Sequence, residues 1–233
     1  MHLFYCPNPL IGTLELSDDE AHHARTVLRL QAGAHVGLLD GQGNTAVAEI
    51  LSTDKRRTEV RVLSSANTGR ERRNHIHLAV APTKQMERFE WMLEKCTEIG
   101  VDRITPLLTD RTERARLRRD RLERILIGAM KQSQRTWLPV LDEATTITDL
   151  LDGGISPQRW FGWCEGTRPA LAACYRPDED VVLFIGPEGD FTPDEAAQLI
   201  ASGSAPVGLG AARLRTETAA VTACAFMNMA QQV

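Results

Sequence analysis

Residues 181–195, VVLFIGPEGDFTPDE, constrain this chain more than any other stretch. Five apolar residues with the pattern of a buried strand stop abruptly at Gly186-Pro187-Glu188-Gly189, where two glycines allow a tight turn and a close backbone approach to a ligand. Such a loop lies at a strand's carboxyl end. Ligands gather at that edge of α/β sheets, because rigid strands there support loops with free backbone amides. A helix is predicted next: Thr192 and Glu195 form a capping box, Pro193 suits the first helical position, and Gly203 can end the helix. APVGLG, at 205–210, then predicts a strand, a second loop over 210–215 and a last helix, so two loop-and-helix units stand in tandem.

The chain upstream alternates in the same way. IHLAVAP predicts a strand, followed by a helix over about 85–98 with Phe89, Met92, Leu93 and Cys96 on one face and Gly100 closing it. RITPLLT, an arginine-rich helix reaching about Ser133, RWFGWC, a short helix and VVLFI complete the series. Strands alternating with helices predict an α/β domain with a mostly parallel sheet covered on both faces.

The first part of the chain differs. Ser17 and Glu20 form a capping box opening a helix through Ala21, Ala24 and Leu28, and three strands follow, AHVGLLD, TAVAEIL and TEVRVLS. Asp40-Gly41 with Gly43 signals a hairpin, and the pattern fits a small β-barrel or sandwich. Residues 65–74 are polar and aperiodic, which places a boundary between domains at 1–70 and 74–233.

Charge is distributed unevenly. Residues 70–135 carry 16 basic and 10 acidic side chains (+6), whereas 136–233 carry 5 and 13 (−8). This suggests a basic stripe for a polyanion; a solvated helix face laced with ion pairs over 111–124 explains the arginines equally well. Arg25, Arg29, Lys55, Arg56, Arg57 and Arg61 can dress the first module for phosphate contacts or be plain surface. The five cysteines are scattered and odd in number, which predicts buried free thiols, and adjacent His22 and His23 argue against a metal site. No apolar run approaches the roughly 20 residues of a membrane helix, and the amino terminus lacks a leader pattern, so a cytoplasmic location is expected.

Familiar nucleotide signatures are missing. There is no G-x-x-x-x-G-K-[ST], and Gly208-Leu209-Gly210 does not complete a G-x-G-x-x-G. A cofactor is therefore expected between the Gly186 and Gly210 loops, with amides and carbonyls for an adenine and ribose and apolar walls from Ile185, Leu209 and Leu214. Either loop alone can be a turn that merely reverses the chain; two in succession, each before a helix, favour a site.

Gly186-Pro187-Glu188-Gly189 with Phe191, then Leu209-Gly210, Arg213-Leu214-Arg215-Thr216-Glu217-Thr218-Ala219 and Thr222-Ala223, resemble the carboxyl-terminal signature of the RsmE family. The resemblance spans essentially the whole chain. HHARTVLRL, at 22–30, is similar to that family's PUA-like RNA-binding module, and Lys84, KCTEIG, Gln132-Ser133, Arg135 and Pro139 resemble its internal motifs. It implies a SPOUT methyltransferase domain, with a trefoil knot that general fold rules treat as rare, behind a small PUA-like β-barrel domain. It further implies a homodimer that uses S-adenosylmethionine to methylate N3 of a uridine in 16S ribosomal RNA of the small subunit. The last helix, TAAVTACAFMNMA, is an expected interface element, or else packs on its own sheet.

Carried onto this sequence, the resemblance places Ile185, Gly186, Pro187, Gly189, Leu209, Gly210, Leu214 and Thr216 at the cofactor and Arg25, Arg29, Lys84, Arg135 and Arg213 at RNA. Arg215 can hold the charge that develops beside N3, or clamp RNA phosphate with Arg213; Glu217 or Glu188 can take the proton. For Glu217, stabilising the helix dipole is the competing role. Three residues depart from the family pattern: Asp190 and Gln134 replace glycines, and Lys131 replaces glutamate. Asp190 is expected to narrow the cofactor loop or resist a positive φ, which aspartate tolerates better than most residues. Rival functions are a SPOUT enzyme with another RNA target, a non-catalytic RNA-binding protein and a small-molecule α/β enzyme.

Overall fold

In the computed structural model, which describes residues 1–54, 57–113, 116–154 and 157–232, the apolar alternation resolves into two sheets. Lys55 and Arg56, two of the candidate phosphate-binding side chains, lie outside the described residues, as does Arg114 of the arginine-rich stretch.

One compact unit comprises Met1–Glu71 together with Ile127–Leu138. Strands β1 (Leu3–Tyr5), β2 (Thr13–Glu15), β3 (His35–Leu39), β4 (Asn44–Thr53) and β5 (Thr58–Asn67) form a sheet in the order β1-β3-β4-β5-β2. Phe4, Val36, Leu38, Ile50 and Val60 are fully buried in its core. The predicted hairpin closes on Asp40, whose carboxylate accepts bonds from the backbone amides of Gln42 (2.7 Å) and Asn44 (3.0 Å), while Gly41 and Gly43 take φ of +75° and +90°. The polar run expected to begin a linker instead extends β5, pairing Asn67 with Asn44, because ladder bonds do not require apolar side chains. Helix α1 (Asp18–His22) runs into a π-helical turn, His23–Val27. Ser17 caps it weakly, at 3.5 Å from the Glu20 amide, and the Glu20 carboxylate pairs with Lys131 rather than completing a box. Lys131 thus has a buried partner within this unit. Gln134, the second departure, adopts φ +59°, a conformation that favours glycine.

The second unit comprises Arg72–Leu126 and Pro139–Val233. Its strands are β6 (Ile76–Val80), β7 (Arg103–Leu108), β8 (Val140–Leu141), β9 (Thr145–Thr146), β10 (Gln158–Gly162), β11 (Val181–Ile185) and β12 (Ala205–Val207). They run in the order β12-β10-β11-β6-β7-β8, with β9 beside β7, and every pairing is parallel. The helices are α2 (Met86–Ile99), α4 (Ile147–Asp152), α5 (Leu171–Cys174), α6 (Pro193–Ala201) and α7 (Thr216–Ala230), while α3 (Arg119–Gln132) starts in this unit and belongs to the first from Ile127 on. Gly100 ends α2 in a left-handed conformation, and Thr192 and Glu195 complete both halves of the predicted capping box on α6. Phe161, Phe184, Phe191 and Leu199 pack one fully buried cluster of the core.

The arginine-rich stretch is not helical throughout. Residues 111–113 form part of a turn and α3 begins only at Arg119; Thr112 folds back, its hydroxyl accepting the Thr109 amide at 2.9 Å. Arg119 and Glu123 make the expected i to i+4 pair, 2.7 Å apart. Of the cysteines, Cys6, Cys96 and Cys224 are buried free thiols, whereas Cys164 is exposed.

Near the amino-terminal edge of this sheet lies a polar cluster. The Thr105 hydroxyl donates to Asp142 and so accepts from Nε2–H of His77 at 2.7 Å. Burial first, then repulsion by Arg103, lowers the His77 pKa to about 4, against the opposing pull of Asp142. Because the folded pKa lies below the unfolded value of 6.5, the unfolded chain binds the extra proton, and stability is lost as pH falls from about 6.5 towards 4. Urea unfolding of wild type should therefore lose about 2 kcal/mol more than His77→Gln between pH 7 and pH 5. Equal losses in the two proteins would refute the buried neutral imidazole.

Candidate active site

Three strand ends meet at one cavity. Since β12, β10 and β11 are adjacent and parallel, the loops leaving them lie side by side, and they enclose a cavity of about 520 Å³. From β11 come Ile185, Gly186, Pro187, Glu188, Gly189 and Asp190; from β12, Leu209, Gly210 and Arg213 to Thr216; from β10, Gly162, Trp163, Cys164 and Arg168. All eight residues expected at the cofactor line this cavity.

Hydrogen bonds hold the loops to one another. The Thr216 hydroxyl, at the start of α7, donates to the Gly186 carbonyl at 3.0 Å and so joins the two loops singled out in the sequence. The Gly208 amide donates to the Pro169 carbonyl and the Leu171 amide to the Gly208 carbonyl, each at 2.9 Å, joining the loops after β10 and β12. Asp190 adopts φ +69°, the conformation its side chain was expected to resist. Its carboxylate accepts the amides of Phe191 (2.9 Å) and Cys164 (2.8 Å), so it ties the β11 loop to the β10 loop. Burial, followed by this carboxylate, raises the Cys164 pKa, against the pull of Arg213 and Arg168.

A guanidinium braces the β11 loop from outside. Arg111 donates to the carbonyls of Gly189, Phe191 (3.3 Å) and Asp190 (3.4 Å), and Glu195 accepts the Asp110 amide at 2.8 Å. Three carbonyls turned to one cation leave the loop's inner edge to the cavity.

The acidic candidates separate. Glu188 lines the cavity with its side chain 47% exposed, whereas Glu217 is not among the lining residues and is 8% exposed. Arg88 of α2 stands between them, 3.4 Å from Glu188 and 3.9 Å from Glu217. Arg213 and Arg215 are exposed on the cavity wall. Lys84 is not among the lining residues and pairs with Glu113 at 2.9 Å, which raises its pKa. In the first unit, Arg25 donates to the Asp54 carbonyl at 2.8 Å, Arg29 is exposed with φ +53°, and Arg135 pairs with Glu71 at 3.0 Å.

Sequence reasoning missed Arg88, Arg111, Arg168 and the whole β10 loop. Gly162 at the end of RWFG was an available signal; the arginines carried none, since each contact spans at least 78 positions or depends on strand order.

The cavity fits S-adenosylmethionine. Apolar Ile185, Leu209 and Leu214 flank backbone amides, and Arg168 contributes a buried donor, Nε, that no group among the described residues accepts. Fold and cavity define a class, an α/β enzyme with a ligand site at parallel strand ends, joined to a β-rich module. Residues 70–228 match the RNA methyltransferase domain family, and residues 16–63 the RNA methyltransferase PUA domain. A ribosomal RNA small subunit methyltransferase E of Synechocystis sp. is 32% identical over 97% of this chain and 76% of its own. The crystal structure of a probable rRNA-methyltransferase from Porphyromonas gingivalis is 40% identical with a TM-score of 0.91, over 99% of this chain and 98% of that one. A ribosomal RNA small subunit methyltransferase E from Neisseria gonorrhoeae bound to S-adenosyl methionine is 30% identical with a TM-score of 0.89, over 99% and 98%. The chain belongs to the ribosomal RNA small subunit methyltransferase E family of RNA methyltransferases.

Proposed function

We propose that this chain methylates N3 of a uridine in 16S ribosomal RNA, within the small ribosomal subunit, with S-adenosylmethionine as donor. The observation that carries this reading is the cavity formed where the GPEG and LRTETA segments meet, with Arg213 and Arg215 exposed on its wall. When bound, the cofactor supplies an electrophilic methyl group on a sulfonium. The uracil N3–H bond breaks and an N3–methyl bond forms as the sulfur keeps its electron pair. Arg215 stabilises negative charge on the carbonyl oxygen beside N3. Glu188, which lines the cavity, accepts the N3 proton. Glu217 lies off the cavity against Arg88, and its role is to hold the guanidinium that in turn steadies Glu188.

The first module, 1–70, serves as the PUA-like RNA-binding domain with Arg25 and Arg29, and 74–233 as the methyltransferase domain, where Lys84 and Arg213 meet phosphate; Arg135 also contacts RNA. The same reading has a trefoil knot formed by the two loops, a homodimer contacting through α7, whose Met229 is exposed, and a cytoplasmic location. No helix among the described residues is long and apolar enough to cross a membrane.

The test is methylation of small ribosomal subunits with labelled cofactor, with the product base identified. 3-Methyluridine in 16S RNA supports the reading; a methylated ribose or no transfer overturns it. Arg215→Ala and Glu188→Gln should each lower the single-turnover rate about 100-fold or more while leaving the cofactor Kd within about threefold. Wild-type turnover in either variant removes that residue from the mechanism.

A further inference from the structure

We propose that Arg168, on the loop after β10, receives the α-carboxylate at the amino-acid end of S-adenosylmethionine. The inference rests on the cofactor reading above and assigns a binding residue that the sequence motifs do not contain. Arg168 lines the cavity, and its Nε is buried with no hydrogen-bond acceptor among the described residues. Its Nη1 donates to the Gly166 carbonyl at 2.9 Å, which fixes the guanidinium and leaves the edge formed by Nε and Nη2 as a two-donor fork. Carboxylates match that fork.

The surroundings fix the fork further. The arginine stem packs over Gly208, where an added Cβ would lie 3.6 Å from both its Cγ and its Nε. The backbone on either side of that contact is tied by the Gly208–Pro169 and Leu171–Gly208 bonds. A donor held rigidly and out of water without an acceptor is costly, and native structures rarely retain one unless a ligand, ion or water completes it.

The other cations on the wall do not share this property. Arg213 and Arg215 are exposed, so water satisfies them. The cofactor carries one anionic group, its α-carboxylate, beside two cationic centres. Asp190 already spends its carboxylate oxygens on two backbone amides and does not occupy the fork. An anion on the ligand is the partner that Arg168 lacks.

Calorimetric titration of the full-length protein with S-adenosylmethionine and with its decarboxylated analogue tests this directly. Arg168→Gln keeps most of the stem and removes the charge. It should weaken S-adenosylmethionine about 10- to 100-fold and the decarboxylated analogue less than threefold, erasing the wild-type preference for the carboxylate. Arg168→Lys, which keeps the charge but not the fork, should give an intermediate loss for S-adenosylmethionine alone, and it carries the test if the glutamine variant does not fold. Equal losses for both ligands would reveal a merely structural arginine and overturn the assignment. An unchanged cofactor Kd with weakened binding to 16S RNA would assign the fork to a phosphate instead. Failure of wild type to bind cofactor would sink the cofactor reading as well; tight wild-type binding with no effect of substitution would sink this inference alone.

Discussion

Gly186→Val should abolish cofactor binding, raising the Kd by about 100-fold or more, an effect worth at least about 2.7 kcal/mol. The reason is crowding rather than backbone conformation. A Cβ at Gly186 would lie 3.0 Å from the Phe191 amide nitrogen, 3.2 Å from Phe191 Cδ2 and 3.3 Å from the Asp190 carbonyl carbon. Phe191 cannot retreat: it is 1% exposed and packs edge to face against Phe161, with ring centroids 6.1 Å apart. The backbone of residue 186 must move instead, and its carbonyl takes with it the bond from Thr216 that joins the two cavity loops. Gly186→Ala needs a smaller shift, and a loss of roughly tenfold is expected, since overpacking by one methyl typically costs about 1–3 kcal/mol. Gly210 differs in kind, because a Cβ there meets nothing within 4 Å and the demand is its φ of +126°. Calorimetric titration with S-adenosylmethionine, alongside a thermal melt, checks the prediction. Binding by Gly186→Val within threefold of wild type would remove this loop from the cofactor site.

What the sequence disclosed was local, and what it hid was pairing at a distance. The α6 capping box, the glycine that closes α2 and the apolar run of β11 are written in adjacent residues, so they were readable. That β10 lies between β12 and β11 was not readable, because its partners are drawn from residues 181–184 and 205–207 and parallel pairing leaves no turn signal. With strand order hidden, the β10 loop could not be placed at the cavity, and Arg168 stayed invisible. Asp190 shows the same limit at one residue. Its sequence neighbours suggested an obstruction, whereas its partner, the Cys164 amide, lies 26 positions away. Arginine composition misled for a related reason: Arg111, expected on a helix, instead satisfies carbonyls on another loop.

Arg72→Met should destabilise the protein by about 3 kcal/mol, because it breaks a buried charge pair from one side. The Arg72 side chain is 5% exposed and lies 2.8 Å from Asp102, itself 16% exposed. Its guanidinium also donates to the Gly100 carbonyl, at the end of α2, and to the Gln231 side chain, at the end of α7, 3.5 Å away. Asp102 in turn accepts the Ile76 amide at 2.9 Å, so one ion pair gathers the start of β6, the approach to β7 and the ends of two helices. Asp102→Asn alone should cost less, since the amide oxygen still accepts a bond. The double variant should cost less than the two singles together by about 1–2 kcal/mol, the coupling expected of residues in contact. Urea unfolding measures all three. The pair sits at the amino-terminal edge of the sheet and the cavity at the carboxyl-terminal edge, so the folded Arg72→Met protein should bind S-adenosylmethionine with the wild-type Kd. A Kd that rose in step with the loss of stability would mean that the cofactor loops depend on this distant pair, and the separation between a stabilising edge and a functional edge would fail.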